Sequence, residues 1–369
     1  MTERRLEWIP WVLIVLMPSL LLWPLPMVAT ENLIAAPYSE GPSHLWGYWA
    51  AIDAGSIQFS SSQIRYPLGQ EIQLIDPLHL VPYVVGMVIG GPALGYNFVL
   101  YFGLMVSGIA GMLLARIAGA QIEGRILGAC IGLSVPGLLA IGVDGITEGL
   151  GAGWVGIQLV ALLSLLRKPS RQLVAILALS GACCAWSGPY NAVWMAILDV
   201  PILLWALGKR TRRSAGSKAV LGVFLSVVLA VPFLIGAASL EGFGPGTEVR
   251  TAAVLPDPSL PWRGSWREGV DLLDLFVPSF FTPDHAAAPT TAYLGIVLLM
   301  ASVWGLRRHP EMRLWFVGAM SFALLSLGPW WFVGGQRLSI GDWAFPPPQP
   351  CSKPLRYSIV SVVGIVRVL

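Results

Sequence analysis

Charged residues are scarce in this sequence. Only 12% of its 369 residues are Asp, Glu, Lys or Arg, whereas 55% are hydrophobic and the mean hydropathy is +0.70. A soluble globular protein carries about 25% charged residues, so this composition excludes a soluble chain. It also excludes wholesale disorder, which requires low hydrophobicity and high net charge. The composition therefore predicts a polytopic membrane protein of the helical type.

Several other features are missing. The 4 cysteines show no Cys-x-x-Cys spacing, which excludes a disulfide framework and a zinc site of that type. No Lys/Arg patch is interleaved with aromatic residues, so nucleic acid is not an expected partner. Gly-rich stretches lack the Gly-Lys-Ser/Thr ending of an ATP-binding loop. The spacings Gly108-x-x-Gly111 and Gly149-x-Gly151-x-Gly153 instead predict close packing of helices.

Long apolar runs are abundant, and a membrane span needs about 20 such residues. The first run, over 8–29, is longer than the core of a cleaved signal peptide, so it predicts an uncleaved first span. The sequence predicts an all-α bundle of about ten spans in a single membrane domain, 1–369. The last run is short for a bilayer, and it predicts a truncated C-terminal part. The further spans are expected at 93–115, 126–143, 150–166, 172–187, 191–207, 217–237, 291–306, 313–333 and 355–369.

The distribution of charge predicts the orientation. With the N-terminus in the cytoplasm, most of the 23 Lys and Arg residues fall in cytoplasmic segments, as the positive-inside rule requires. Acidic residues collect on the opposite side, in two long loops over 30–92 and 238–290. Because glycine and proline punctuate the segment 78–92, it is predicted to be a juxtamembrane helix on the outer face rather than a span.

The first outer loop is the main candidate site. Glu40 precedes His44, Trp46, Tyr48 and Trp49 within ten residues. A carboxylate can take a proton from an attacking hydroxyl, and burial against aromatic rings would raise its pKa and make it a stronger base. Trp and Tyr side chains can stack on sugar rings, but they also anchor proteins at the membrane interface. Both readings stay open from these residues alone.

Other polar residues have two readings each. Arg65 and Tyr66 begin a turn, and Asp76 is either a site residue or the N-terminal cap of the following helix. Glu148 either faces the same cavity as Glu40 or is solvated. The mid-span Asp199 is a functional hypothesis by default, because a carboxylate in the bilayer is costly. The alternative is that it satisfies backbone groups freed by Pro201.

Two further features lie later in the chain. No cofactor is assigned, although Asp271 and Asp274 share a helical face and a divalent cation is a weak prediction there. Lys353, Arg356 and Tyr357 lie at the outer mouth of the last predicted span. The two cationic side chains there could hold a phosphate or extend towards the interface.

The order of short motifs resembles the bacterial GT-C-type integral-membrane glycosyltransferases, in particular the mannosyltransferase-like and YfhO-like membrane proteins. The resemblance covers most of the chain and depends on order and spacing. The motifs are His44-Leu45-Trp46-Gly47-Tyr48-Trp49, Tyr66-Pro67-Leu68-Gly69, Asp76-Pro77-Leu78, the segment 270–279, Tyr293-Leu294-Gly295, Leu327-Gly328-Pro329 and Pro354-Leu355-Arg356-Tyr357.

The resemblance implies a function at the cell envelope. Proteins of this superfamily use a polyprenyl-phosphate-linked sugar or lipid-linked acceptors at the outer face of the bacterial inner membrane. Their first outer loop carries the catalytic acid, most often Asp, and by position this role falls on Glu40, with Asp53 second. The expected partners are a lipid-linked sugar donor and membrane lipid. The residues expected to bind substrate are His44, Trp46, Tyr48, Trp49, Arg65, Tyr66, Asp76 and Arg356.

Two alternatives remain at this stage. A transporter or lipid flippase would require a polar path across the whole bilayer centred on Asp199, with helices broken at the midplane. An inactive, truncated member of the superfamily would carry out no chemistry at all.

Overall fold

A computed structural model describes residues 6–23, 25–34, 41–61, 70–74, 76–143 and 145–239, together with four two-residue strands between 332 and 344. The chain divides into two compact units, Met1–Gly244 and Pro245–Leu369. In the second unit the described residues form two antiparallel hairpins, which pair Phe332–Val333 with Gln336–Arg337 and Ser339–Ile340 with Trp343–Ala344. All described helices belong to the first unit, and they dominate it, as the all-α prediction requires.

The first unit is a succession of apolar helices. An antiparallel hairpin of β1 (Gln58–Ser61) and β2 (Gln70–Gln73) follows the third helix, and short 3-10 turns at Pro77–His79 and Thr147–Gly151 precede the fourth and seventh. The helices are α1 (Ile9–Leu21), α2 (Leu25–Val28), α3 (Gly41–Ala54), α4 (Leu80–Ile117), α5 (Ile122–Leu133), α6 (Pro136–Val143), α7 (Ala152–Arg167), α8 (Arg171–Trp186), α9 (Pro189–Gly208) and α10 (Arg213–Ser239).

Helix α4 is two helices joined at a sharp kink. Gly90 has φ −154° and ψ 26°, and Gly91 has φ 87°, a left-handed conformation that favours glycine. The chain folds back there, so that Gly86 lies against Gly95 and the Tyr83 ring lies against the same glycine. The break occurs where the glycine and proline pattern predicted that the segment 78–92 would be separate from the span 93–115.

Small residues allow the central helices to approach closely. A Cβ at Gly111 would lie 2.2 Å from the Gly128 carbonyl oxygen, and one at Gly132 would lie 2.2 Å from the Ser107 carbonyl oxygen. A Cβ at Gly153 would also meet the Ser107 backbone, which brings α7 against α4. These contacts confirm that the glycine spacings serve helix packing, as the sequence predicted.

Asn97 of α4 fixes the chain that follows the first helices. Its side-chain amide donates to the carbonyl oxygens of Ala29 (2.9 Å) and Asn32 (2.7 Å), and its Oδ1 accepts from the Ile34 backbone N–H (2.8 Å). A buried amide is costly unless it is hydrogen-bonded, and here three of its hydrogen-bonding positions are used. The segment 29–34 is therefore held against α4 on the approach to α3.

Basic residues collect at one end of the helices, which we call the basic end. Arg116 lies in the last turn of α4, Arg125 lies in the first turn of α5 and Arg167 ends α7. The Arg167 guanidinium donates to the Ile117 carbonyl oxygen at 2.6 Å, and the basic run 209–213 joins α9 to α10 at this end. The opposite end, which we call the loop end, carries α3, the β1–β2 hairpin and the 3-10 turns Pro77–His79 and Thr147–Gly151.

Four described helical segments are long and apolar enough to span a membrane: Pro77–Ile117, Thr147–Arg167, Pro189–Gly208 and Arg210–Phe233. Helices Ile9–Leu21 and Arg171–Trp186 are apolar but shorter. This supports a helical membrane protein. Most predicted spans of the first unit match a helix within a few residues.

Two predicted spans are wrong in their continuity. The span 126–143 is broken into α5 and α6 at Ser134 and Val135, because a residue that precedes a proline, here Pro136, disfavours helical geometry. The span 8–29 likewise ends its main helix at Leu21, ahead of Pro24. The predicted spans 291–306 and 355–369 lie outside the described residues. So does 313–333, apart from its last two residues, which form a strand.

The contact between α4 and α5 predicts a sensitive position. We expect Gly132→Ala to lower the free energy of unfolding by about 1–3 kcal/mol, because the new methyl group would overlap the Ser107 backbone. Gly208→Ala is the matched control, since nothing lies within 4 Å of a Cβ at that position. Thermal unfolding in detergent, followed by size-exclusion chromatography, measures the difference. Equal melting temperatures for the two variants would contradict the packing described here.

Candidate functional site

A cluster of polar side chains is buried at the loop end. Its members come from α3, from the 3-10 turn that precedes α4 and from the turn that precedes α7. We call it the Asp76 cluster. All its members are at most 8% exposed, and they are His44, Tyr48, Asp76, His79, Thr147 and Glu148.

Local structure brings these residues together in pairs. His44 and Tyr48 are four residues apart on α3, which places both on one face of the helix. Asp76 directly precedes the turn Pro77–His79, His79 ends that turn, and Thr147 begins the second turn. Helix packing then brings the three segments into contact across separations of 28 to 103 residues.

Asp76 is the centre of the cluster. Its Oδ2 accepts from the Tyr48 hydroxyl at 2.5 Å, from the Thr147 hydroxyl at 2.5 Å and from Nδ1 of His79 at 3.0 Å. Distances of this size are typical of hydrogen bonds to a charged carboxylate. Its other oxygen, Oδ1, is buried and accepts no hydrogen bond from the described residues.

Thr147 links Asp76 to His44. Because the Thr147 hydroxyl donates to Asp76, its oxygen accepts at 2.9 Å from His44 Nδ1, which therefore carries a proton. The other ring nitrogen of His44, Nε2, lies 3.4 Å from Glu148 Oε2. The Tyr48 hydroxyl also lies 2.8 Å from Thr147 Oγ1.

The surroundings shift two pKa values in the cluster. Burial raises the pKa of Tyr48 well above its ordinary value, and the neighbouring Asp76 carboxylate raises it further. Burial alone would also raise the pKa of Asp76. The hydrogen bond and charge of His79, together with His44 and Thr147, outweigh burial and lower that pKa. Tyr48 is therefore a neutral donor and Asp76 a charged acceptor.

Residues at the start of α9 contact Glu148 and hold it in place. The Asn191 amide donates to the Glu148 carbonyl oxygen at 2.9 Å and lies 3.2 Å from the Ser187 hydroxyl. Gly188 has φ 149°, and a Cβ there would lie 2.9 Å from the Glu148 Cβ. Any other residue at position 188 would push against Glu148.

The structure places the predicted site residues in three groups. His44, Tyr48 and Asp76 lie in the cluster, and Trp46, partly buried, and Trp49, half exposed, flank it on α3. Asp53 is exposed near the end of α3 and is not among the residues that the structure brings together. Glu40, Arg65, Tyr66 and Arg356 lie outside the described residues, as do Asp271 and Asp274.

The interpretation of Asp76 as a helix cap is wrong. Its side chain makes no capping hydrogen bond to the following turn and instead accepts from Tyr48, Thr147 and His79. Sequence reasoning left Glu148 open and did not assign His79 or Thr147. The one local signal for His79 was its spacing of three residues from Asp76.

Three members of the cluster have the chemistry of metal ligands. One ligand atom each from His44, Asp76 and Glu148 lies within 4.8 Å of the other two. An imidazole nitrogen and two carboxylate oxygens suit divalent transition metals.

Asp199 belongs to a separate network in the middle of the bundle. Its Oδ2 accepts from the Gln158 amide of α7 at 3.0 Å, and Gln158 Oε1 accepts from the Ser180 hydroxyl of α8 at 2.5 Å. These bonds join three helices, and the partner shown for Asp199 is a side chain rather than backbone near Pro201. Helix α9 continues through this region without a break.

Comparison with known proteins adds no relative. No family model matches the chain, and neither a curated protein nor a solved structure is significantly similar to it.

Two neighbouring tyrosines allow a test of the Asp76 cluster. Tyr48→Phe removes a donor to a buried carboxylate, so we expect it to lower the free energy of unfolding by about 1.5–3 kcal/mol. Tyr83 is the matched control because it is equally buried, its ring centroid lies 5.2 Å from that of Tyr48, and its hydroxyl has no partner among the described residues. Tyr83→Phe should be neutral or stabilising. Thermal unfolding of both variants measures the difference. An equal loss of stability in Tyr83→Phe and Tyr48→Phe would contradict the role given to the Tyr48 hydroxyl.

Proposed function

We propose that this protein is a membrane glycosyltransferase that transfers a sugar from a polyprenyl-phosphate donor at the outer face of the bacterial inner membrane. The proposal includes a GT-C-type bundle of about ten spans, as the motif order suggests. The observation that carries it is the Asp76 cluster, a buried group of carboxylates, imidazoles and hydroxyls assembled from three segments at one end of the bundle.

The position of the Asp76 cluster favours chemistry at a membrane face. Buried polar groups are costly, and perturbed pKa values such as those of Tyr48 and Asp76 are concentrated at functional sites. The cluster lies at the loop end, where long segments between helices would admit a lipid-linked donor from the membrane surface. Trp46 and Trp49 on α3 are near enough in sequence to its two α3 members to hold a sugar beside it.

The proposed roles combine the cluster with residues known only from sequence. Glu40, one residue before α3, is assigned as the general base that takes the acceptor proton. Arg65 and Arg356 are assigned to the donor phosphate. Tyr48 is fully buried and its hydroxyl is bonded to Asp76, so its role is to position that carboxylate rather than to stack on the sugar.

The direction of insertion is part of the proposal. Most Lys and Arg residues of the described helices lie at the basic end, which the positive-inside rule assigns to the cytoplasm. The N-terminus is then cytoplasmic, and the Asp76 cluster faces the periplasm.

A transporter or lipid flippase is the second candidate, and the buried Asp199 favours it. Asp199 accepts a hydrogen bond from Gln158, which in turn accepts one from Ser180. Hydrogen bonds of this kind hold helices together, and α9 is not broken at Asp199 as a transporter would require. The Asp76 cluster, in contrast, joins α3 to the 3-10 turns at the starts of two candidate spans. We therefore prefer the transferase.

Transfer of radiolabelled mannose or glucose from its polyprenyl phosphate, by purified protein in liposomes, tests the proposal. We expect Glu148→Gln and Asp76→Asn to slow transfer by at least about 100-fold, because each removes a buried carboxylate from the site on which the proposed chemistry depends. Glu40→Gln should slow it similarly. Glu123→Gln is the control, because Glu123 is an exposed carboxylate at the basic end, and Asp199→Asn should also leave the rate unchanged.

The outcomes separate the candidates. If the wild-type protein transfers neither sugar, the transferase proposal is wrong. A transfer rate that depends on Asp199 but not on the Asp76 cluster favours the transporter. Normal transfer by Glu40→Gln removes Glu40 from the role of base and leaves the cluster in place.

Labelling tests the orientation independently. In a chain whose cysteines are replaced, Ala54→Cys on α3 and Arg210→Cys at the basic end are both exposed. We expect a membrane-impermeant maleimide to label Ala54→Cys in cells whose inner membrane is intact and Arg210→Cys only after the membrane is opened. The reverse pattern would place the Asp76 cluster in the cytoplasm.

A further inference from the structure

We propose that His44, Asp76 and Glu148 bind a divalent transition-metal ion, for which Mn²⁺ and Zn²⁺ are the representative probes. The role of the ion in sugar transfer rests on the proposed function, but its binding does not. The inference depends on the hydrogen bonds that the oxygen and nitrogen atoms of these three side chains make to their neighbours.

The two oxygens of Asp76 are in opposite situations. Oδ2 accepts from Tyr48, Thr147 and His79, whereas Oδ1 is buried and accepts nothing from the described residues. A buried carboxylate oxygen without a donor is costly. A cation bound to Oδ1 would compensate for that cost, while the donors on Oδ2 hold the carboxylate in place.

The orientation of His44 is that of a metal ligand. Its Nδ1 donates to Thr147, which fixes the ring and directs Nε2 towards Glu148. When Nδ1 carries the only ring proton, Nε2 can bind a metal. A histidine that binds a metal usually donates its other ring N–H to a neighbouring acceptor in this way. The separation of 3.4 Å between Nε2 and Glu148 Oε2 is longer than a charge-assisted hydrogen bond of about 2.8 Å, but it suits two adjacent ligands of one ion.

Spacing and charge both fit a divalent ion. Ligand bonds of about 2.0–2.2 Å place adjacent ligands about 3–3.6 Å apart and opposite ligands about 4–4.4 Å apart. The three ligand atoms lie within 4.8 Å of one another, so shifts of a few tenths of an ångström complete the site. The two carboxylates neutralise the charge of the ion in surroundings where an unpaired charge is unfavourable.

The donor set also limits the metal and its exposure. The single imidazole favours Mn²⁺, Fe²⁺ or Zn²⁺ over Mg²⁺ and Ca²⁺, which prefer ligand sets made only of oxygen. Asp76 is fully buried, whereas His44 and Glu148 are each 8% exposed. Asp76 would thus bind the ion on its buried side. Coordination positions would stay open on the side of His44 and Glu148, which is closer to the surface.

Those open positions define the role of the ion in the proposed transfer. The leaving group is a polyprenyl phosphate, and the two cluster carboxylates would repel it. A divalent ion between them converts this negative centre into one that binds phosphate oxygens and stabilises the charge that develops on them as the sugar leaves.

The experiment measures metal binding without any sugar donor. The full-length protein is purified in detergent, treated with EDTA and reloaded with MnCl₂ or ZnCl₂. Elemental analysis then gives the stoichiometry, and the EPR signal of free Mn²⁺ gives the affinity. We expect one ion per chain and a higher melting temperature with metal. His44→Gln, Asp76→Asn and Glu148→Gln should each weaken binding by at least about 10–100-fold, whereas Glu123→Gln should bind like wild type.

Each result decides the inference. Wild type that binds neither ion overturns it, and so does undiminished binding by the folded His44→Gln and Glu148→Gln variants. These two side chains are slightly exposed, which keeps the test available if Asp76→Asn does not fold. Metal binding without transfer of either sugar rejects the proposed function but not the site. Undiminished transfer in EDTA by protein without bound metal rejects the role of the ion in transfer but neither the binding site nor the function.

Discussion

Three donors from three different segments meet on a single oxygen of Asp76. The Tyr48 hydroxyl comes from α3, the His79 ring from the turn before α4 and the Thr147 hydroxyl from the turn before α7. A charged carboxylate in a buried position requires such donors, and here the three donors join α3 to the turns that precede α4 and α7. The shape of the loop end and the chemistry of the site therefore depend on the same hydrogen bonds.

Much of the helical part of the fold could be predicted from the sequence, because the membrane makes apolar length informative. The runs 150–166, 191–207 and 217–237 match α7, α9 and α10 closely, since about 20 apolar residues leave few alternatives to a helix. The break of α4 was also predictable from Gly90, Gly91 and Pro92. The prediction failed near Pro24 and Pro136, although α9 and α10 continue through Pro201 and Pro232. Hydropathy records the length of an apolar run but not the backbone geometry that divides a helix.

The site was less predictable, since its contacts join residues that are far apart in the chain. His44, Tyr48 and Asp76 could be selected because the first outer loop gathers polar and aromatic residues within an otherwise apolar sequence. Their true partner Thr147 is 71 residues from Asp76 and 103 residues from His44, and a threonine carries no signal of its own. The local pattern even misled at Asp76, where an acidic residue before proline is typical of a helix cap. Packing between helices, which no local pattern reports, decided the outcome.

The fold-back of α4 has a consequence for the Asp76 cluster. Its first half, 80–89, starts directly after His79 and exposes Val81, Val85 and Val88, which are 65%, 45% and 77% accessible and share one face. In a bilayer this face would be immersed among acyl chains while the opposite face, with Tyr83 and Gly86, grips the second half of α4. Because this half of α4 begins directly after His79, the face exposed to acyl chains and the imidazole bonded to Asp76 belong to one continuous segment.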